Sequence, residues 1–348
     1  MPLAAGSGEM LAVSDADKRA GTSASEWAPG EVLLDKYRIL ERIGAGGMGV
    51  VHSARRLSLG DVVAIKSVLP ERSSPGNRQR FLREARALAR IRHPNVVRVF
   101  DFGEAEDRPF MVMEYLDGPT LARVLSSGPP PLARALELFH DVCRAVEAGH
   151  RRGVVHRDLK PGNVMFDRSD DGGETVKVLD FGLARITDDE LEQSQAGLLV
   201  GTCGYMSPEQ IEHGGGGPAS DVFALGVILY ELVTGVRPFD ASNQIATIMR
   251  ICEGEYTSPA ERVPDLPESV VEAIQAALQH SPDARPASAV ELADRALGRA
   301  THPRVSMSSL ASSESGSRSF SSRESSDESL GAGRPVRRVV GEDATEAM

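Results

Sequence analysis

The chain has 348 residues, 41% of them hydrophobic, with 39 Lys and Arg against 50 Asp and Glu for a formal net charge of −11. That length and balance fit a globular protein with a sizeable core, and the acidic excess argues against nucleic acid as a general partner. Its three scattered cysteines, Cys143, Cys203 and Cys252, have neither zinc spacing nor a disulfide framework and suit a reducing compartment as buried small side chains.

Residues 1 to about 34 are small, polar and aperiodic, and read as a flexible arm. They hold no basic region followed by an apolar core, so no secretion signal is expected. An apolar run, Tyr37, Ile39, Leu40 and Ile43, then leads into GAGGMGVV at 44–51. A tight turn between strands is one reason for such glycines, because glycine supplies positive φ. A backbone that must approach phosphates closely is another. Gly44, Gly46 and Gly49 fit G-x-G-x-x-G, a spacing used by dinucleotide-binding folds and by flaps over nucleotide phosphates. A dinucleotide fold starts a helix at this loop. Here Val50 and Val51 follow, then Val62 to Ile65 beyond a turn at Gly60-Asp61, which reads as a hairpin.

Lys66 closes the strand-like VVAIK. A helix from about Asn77 to Ile91 follows, with Phe81, Ala85 and Leu88 as its apolar stripe. Glu84 falls on that stripe, and an inward carboxylate is costly unless paired. Arg80, one turn back, and Lys66 are the two candidate partners. A Lys66–Glu84 pair would hold the amine within reach of phosphate oxygens. VVHRDLKPGNVMF at 154–166 places Asp158, Lys160 and Asn163 in one loop between apolar runs. Asp158 can accept a proton from an attacking hydroxyl, Lys160 can neutralise a phosphate, and the Asn163 amide oxygen suits a hard cation. VKVLDFGLA at 176–184 then delivers Asp180 at the end of a strand, where an aspartate is either a turn former or, beside Asn163, half of a magnesium site.

In chain order, the glycine loop, VAIK, Glu84, HRDLKPGN, DFG, GTCGYMSPE at 201–209 and DVFALG at 221–226 resemble the eukaryotic-like (Hanks-type) serine/threonine protein kinases, bacterial branch, over about residues 37 to 299. SPE stands where the family more often has APE, a small-for-small change. The resemblance implies an α+β, two-lobed protein kinase fold, with a small β-rich N-lobe carrying one key helix and a larger, mainly helical C-lobe. It also implies ATP as co-substrate and Mg²⁺ as cofactor. Lys66 would bind phosphates and pair with Glu84; Asp158 would be the catalytic base, with Lys160 near the transferred phosphate. Thr202 would contact Asp158 and Lys160, while Asn163 and Asp180 would hold Mg²⁺. The nucleotide would lie among Ile43, Gly44, Ala45, Gly46, Gly47, Met48, Gly49, Val51, Ala64, Met113, Glu114 and Leu116, the last three at and beside the hinge. Glu209 would pair with Arg285, and Asp221 would brace the catalytic loop. Arg157 would bind a phosphorylated residue of the activation segment, for which Ser194 is the candidate, unless the acidic residues 188–192 occupy Arg157 instead.

The domain boundaries expected are an arm over 1–34, a kinase domain over 35–299 (N-lobe about 35–113, C-lobe about 117–299) and a serine-rich tail over 300–348. The tail cannot bury enough apolar surface to offset its ordering entropy, so it is expected to be disordered. Ser321 and Ser326 each follow an arginine by three residues, as acceptors or as parts of an inert solubilising tail. The longest apolar run, Val222 to Val236, is shorter than the ~20 residues of a membrane span, so a cytoplasmic protein is expected. Expected partners are protein substrates and a second copy, as a homodimer for trans-autophosphorylation. A catalytically weak or inactive kinase-fold scaffold and a small-molecule phosphotransferase are the rival readings. Lys66, Asp158 and Asp180 together argue against the first, and the long segment from Asp180 to Glu209 argues against the second.

Overall fold

The computed structural model describes residues 27–46, 49–69, 73–168, 172–181 and 203–299. Strands β1 (Val32–Leu33), β2 (Tyr37–Gly46), β3 (Gly49–Arg56), β4 (Val62–Ser67), β5 (Val99–Ala105) and β6 (Arg108–Glu114) form one sheet in the order β1-β2-β3-β4-β6-β5. Every neighbouring pair is antiparallel. The two-residue alternation of strand side chains separates the two faces. Ala64, Met111 and Met113 enter one apolar cluster, and their neighbours Val63, Ile65, Phe110 and Val112 enter another.

Helix α1 (Pro75–Leu88) starts at Ser74, whose hydroxyl accepts the Asn77 N–H, with proline in the first turn. It buries Phe81, Ala85 and Leu88 in the cluster that holds Ala64 and Met111. The opposite face of the sheet is closed by Trp27. That side chain is 3% exposed, edge-on to Phe110 at 6.3 Å, with the Arg108 guanidinium 5.7 Å over its ring. The packed body therefore reaches back at least to Trp27, within the span 1–34 expected as an arm. One large aromatic ring carries this segment onto the sheet, and a single residue has no periodicity to read. Residues 1–26 and 300–348 lie outside the described residues.

The second half is helical: α2 (Leu121–Leu125), α3 (Leu132–His150), α4 (Pro208–His213), α5 (Pro218–Thr234), α6 (Gln244–Glu253), α7 (Pro259–Arg262), α8 (Glu268–Ala277) and α9 (Ala289–Ala296). A hairpin of β7 (Val164–Arg168) and β8 (Glu174–Val178) interrupts them. Every residue from Ser220 to Tyr230 on α5 is buried, as its all-round apolar sequence predicts for a central helix. Among the described residues no helix is long and apolar enough to cross a membrane.

Candidate active site

Gly44 and Ala45 of β2 face Val51 and Val50 of β3, and Gly46 faces Gly49 at the tip. Gly47 and Met48 lie outside the described residues. Gly49 has a φ of +154°, and a Cβ there would stand 1.9 Å from the Ser67 carbonyl oxygen, so close approach to β4 demands glycine. Ile43 and Val51 pack against the cluster containing Ala64 and Met113, which face each other across β4 and β6. These residues, and Leu116, which is also buried, are apolar residues that the resemblance assigns to the base. Glu114 is held from both sides: its carboxylate accepts Lys177 Nζ at 2.9 and 3.0 Å and the Arg98 N–H at 2.7 Å. Lys177 carries no signal in the sequence of its pairing with Glu114, because an alternating strand residue does not reveal a distant partner.

Lys66 departs from expectation. Its Nζ lies 2.8 Å from Oδ1 of Asp180, with the lysine side chain 8% exposed. Among the ion pairs of the described residues, Lys66 has no pair with Glu84. Glu84 is half-buried on the apolar stripe of α1, as its spacing predicts. The stripe sets which face the carboxylate takes, not how far the helix stands from β4. Asp180, two residues after β8, has a left-handed φ of +57°.

Asp158 is gripped by its own loop. Lys160 Nζ donates to both carboxylate oxygens at 3.0 and 2.7 Å, and Asn163 Nδ2 donates to Oδ2 at 3.2 Å and to the Asp158 carbonyl at 2.7 Å. With Nδ2 committed to Asp158, Oδ1 is the Asn163 atom suited to a cation. The loop is pinned from beneath by Asp221, 1% exposed at the start of α5. Its carboxylate accepts the His156 N–H at 2.7 Å, the Arg157 N–H at 2.8 Å and a contact from His150 Nε2 at 2.7 Å. His150, at the end of α3, is a partner of Asp221 that carries no signal in the sequence. Only the crossing of α3 and α5 brings it to Asp221.

The strand before Asp180 is anchored from the same loop. His156 Nε2 meets the Leu179 carbonyl at 2.8 Å, and the His156 ring packs 4.8 Å from that of Phe181. Phe181 is fully buried. It fits because position 149 on α3 is glycine: a Cβ there would come 2.5 Å from Phe181 Cε1.

Beyond the loop, Arg285 clasps Glu209 bidentately, with both bonds 2.8 Å long. Burial pushes the Glu209 carboxyl up, but hydrogen bonds from Arg285 and Ser220 outweigh it and hold its pKa at about 2. The Tyr205 hydroxyl donates to Glu231 at 2.6 Å, and burial raises both groups above their ordinary values. Arg157 Nε donates to the Gly216 carbonyl at 3.2 Å. Ser194 and Thr202 lie outside the described residues.

A family profile described as Protein kinase domain matches residues 37–297. The serine/threonine-protein kinase pkn3 of Myxococcus xanthus is 41% identical over 75% of this chain and 49% of its own length. Serine/threonine-protein kinase Pkn1 of the same organism is 39% identical, over 72% of this chain and 35% of its own length. PknB of Mycobacterium leprae is 35% identical over 75% and 42%. The chain thus spans a third to a half of the length of these curated relatives. Among solved structures, the PknI kinase domain of Mycobacterium tuberculosis superposes with a TM-score of 0.62 at 25% identity, over 79% of this chain and all of that one. Rad53 1-466 in complex with AMP-PNP gives 0.62 at 27% identity, over 75% and 64%.

Proposed function

Since this chain belongs to the protein kinase domain family, of the bacterial serine/threonine type, we propose that it transfers the γ-phosphoryl group of ATP to serine and threonine hydroxyls of proteins, itself included. The observation that carries this reading is the Asp158 carboxylate, oriented by Lys160 and Asn163 in a loop that Asp221 pins.

The chain supplies position and charge. The β2–β3 hairpin covers the phosphates with bare backbone. Lys66 meets the phosphate oxygens. Asp158 orients the acceptor hydroxyl for in-line attack and takes up its proton, and Lys160 offsets charge on the group in transfer. Asn163 and Asp180 offer oxygen alone, the donor type of a hard cation, so they fit Mg²⁺. Bound there, Mg²⁺ would neutralise phosphate charge. Thr202 and Ser194 keep the roles given by resemblance, as acceptor-site contact and as the phosphorylated residue read by Arg157. A homodimer for trans-autophosphorylation, a cytoplasmic location and the domain boundaries, with the N-terminal limit moved back to Trp27, belong to the same proposal.

Incubating the purified chain with Mg²⁺ and γ-labelled ATP, followed by phosphosite mapping, tests the reading. Label on serine and threonine supports it, with Ser194, Ser321 and Ser326 as the sites to inspect. Label mainly on tyrosine overturns the acceptor class. The Lys66 amine, held at 2.8 Å by Asp180, favours a second reading, a catalytically weak scaffold that binds ATP and partners. ATP binding without transfer would decide for it.

A further inference from the structure

Gln210, half-buried in the first turn of α4, uses both ends of its amide. Oε1 accepts the backbone N–H of Ser207 and the Ser207 hydroxyl, each at 3.1 Å, which closes the N-terminus of the helix. Nε2 donates to the carbonyl of Arg157 at 2.9 Å. That carbonyl belongs to the peptide unit joining Arg157 to Asp158.

The peptide unit is one that needs holding. Arg157 has a φ of +67°, a left-handed conformation that residues with side chains rarely adopt. Asp221 fixes the N–H of Arg157 at 2.8 Å, and Gln210 fixes its carbonyl from the opposite segment of the fold. Rotation of that peptide plane would swing the Cα–Cβ bond of Asp158 and so its carboxylate. Helix capping alone does not require an amide here, since Glu serves the capping box as well as Gln. Only Gln has an acceptor for Ser207 and a donor for Arg157 at once; a carboxylate would turn an oxygen towards a carbonyl oxygen.

We propose that Gln210 is a positioning residue: it sets the Arg157–Asp158 peptide, and through it the aim of Asp158, and couples that aim to the Cys203–Ser207 segment. The proposal rests on Asp158 being the proton acceptor of the transfer reaction.

Two variants of the full chain test it by steady-state kinetics and thermal melting. Gln210→Glu keeps the acceptor for Ser207 and removes the donor. It is expected to fold and to melt slightly below the wild type, and to lose about tenfold in kcat, with KM for ATP within about twofold, since misaimed groups cost turnover rather than ground-state binding. Gln210→Met removes both ends and is expected to melt earlier while losing kcat by the same factor. An active wild type beside a Q210E of equal kcat overturns the positioning role alone, as does a loss that falls on KM. A Q210M that melts earlier yet turns over like the wild type overturns it even if Q210E does not fold. A wild type without transfer overturns the kinase reading and this proposal with it.

Discussion

The amine of Lys66, near the C-terminal end of strand β4, lies 2.8 Å from the carboxylate of Asp180, two residues after β8. One strand comes from the β-rich half and the other from the helical half, so this contact closes the site across both. Lys66→Met is expected to lower phosphate transfer by about 100-fold or more, as removal of a preorganised charge does. Asp180 keeps a side chain 25% exposed to water, so the melting temperature should change little. A variant that transfers at the wild-type rate would remove Lys66 from the mechanism.

Asp158→Asn conserves size while removing the negative charge that Lys160 and Asn163 hold in place. The amide is a poor proton acceptor, so kcat is expected to fall by about 10²–10⁴-fold. Binding of ATP, read by titration, should be close to that of the wild type. Loss of nucleotide binding instead would make Asp158 a structural residue.

Gly149→Ala tests the seat of Phe181. The added Cβ would meet the ring at 2.5 Å, and the Val154 carbonyl at 3.1 Å blocks retreat. Overpacking of this kind is expected to cost about 1–3 kcal/mol, seen as a lower melting temperature. Transfer should drop as well, because Phe181 adjoins Asp180. An alanine variant as stable as the wild type would mean that the ring repacks freely.

The Glu209–Arg285 pair makes stability depend on acid. The folded-state pKa of about 2 lies below the ordinary 4.5, so the pair stabilises fully above about pH 4.5 and its contribution is lost as pH falls towards 2. Glu209→Gln should therefore flatten that part of the stability-against-pH curve. Arg285→Ala, which leaves the half-buried Glu209 carboxylate without its cation, is expected to cost about 1–3 kcal/mol at neutral pH. Equal acid dependence in wild type and Glu209→Gln would assign the loss to other groups.

Trp27→Ala is expected to lower stability by about 3–5 kcal/mol, the usual cost of emptying a buried aromatic site. A chain begun at residue 35 should melt at least as early. If both melt like the full chain, the sheet face under Trp27 closes without it.

How far the sequence could be read follows from the kind of signal each feature carries. The β2–β3 hairpin and the stripe of α1 each repeat a periodic pattern within one element, α5 is marked by an apolar run with no polar face, and the structure holds all three. Asp158, Lys160 and Asn163 were legible because five residues of chain separate them at most, so local spacing fixes their contacts. Trp27, Lys177, His150 and Gln210 gave no such signal. Each acts through a partner far along the chain, and a lone residue has no period.

By itself, then, the sequence determined the strand–glycine loop–strand order near the start, the face that α1 buries, and the short loop that carries the proposed base. Only the tertiary structure decided distances between elements. It sent Lys66 to Asp180 rather than to Glu84, brought His150 to Asp221, and set Gln210 against Arg157. The physical reason is that periodicity fixes rotation about an element's axis, whereas the approach of two elements depends on how all the side chains between them pack.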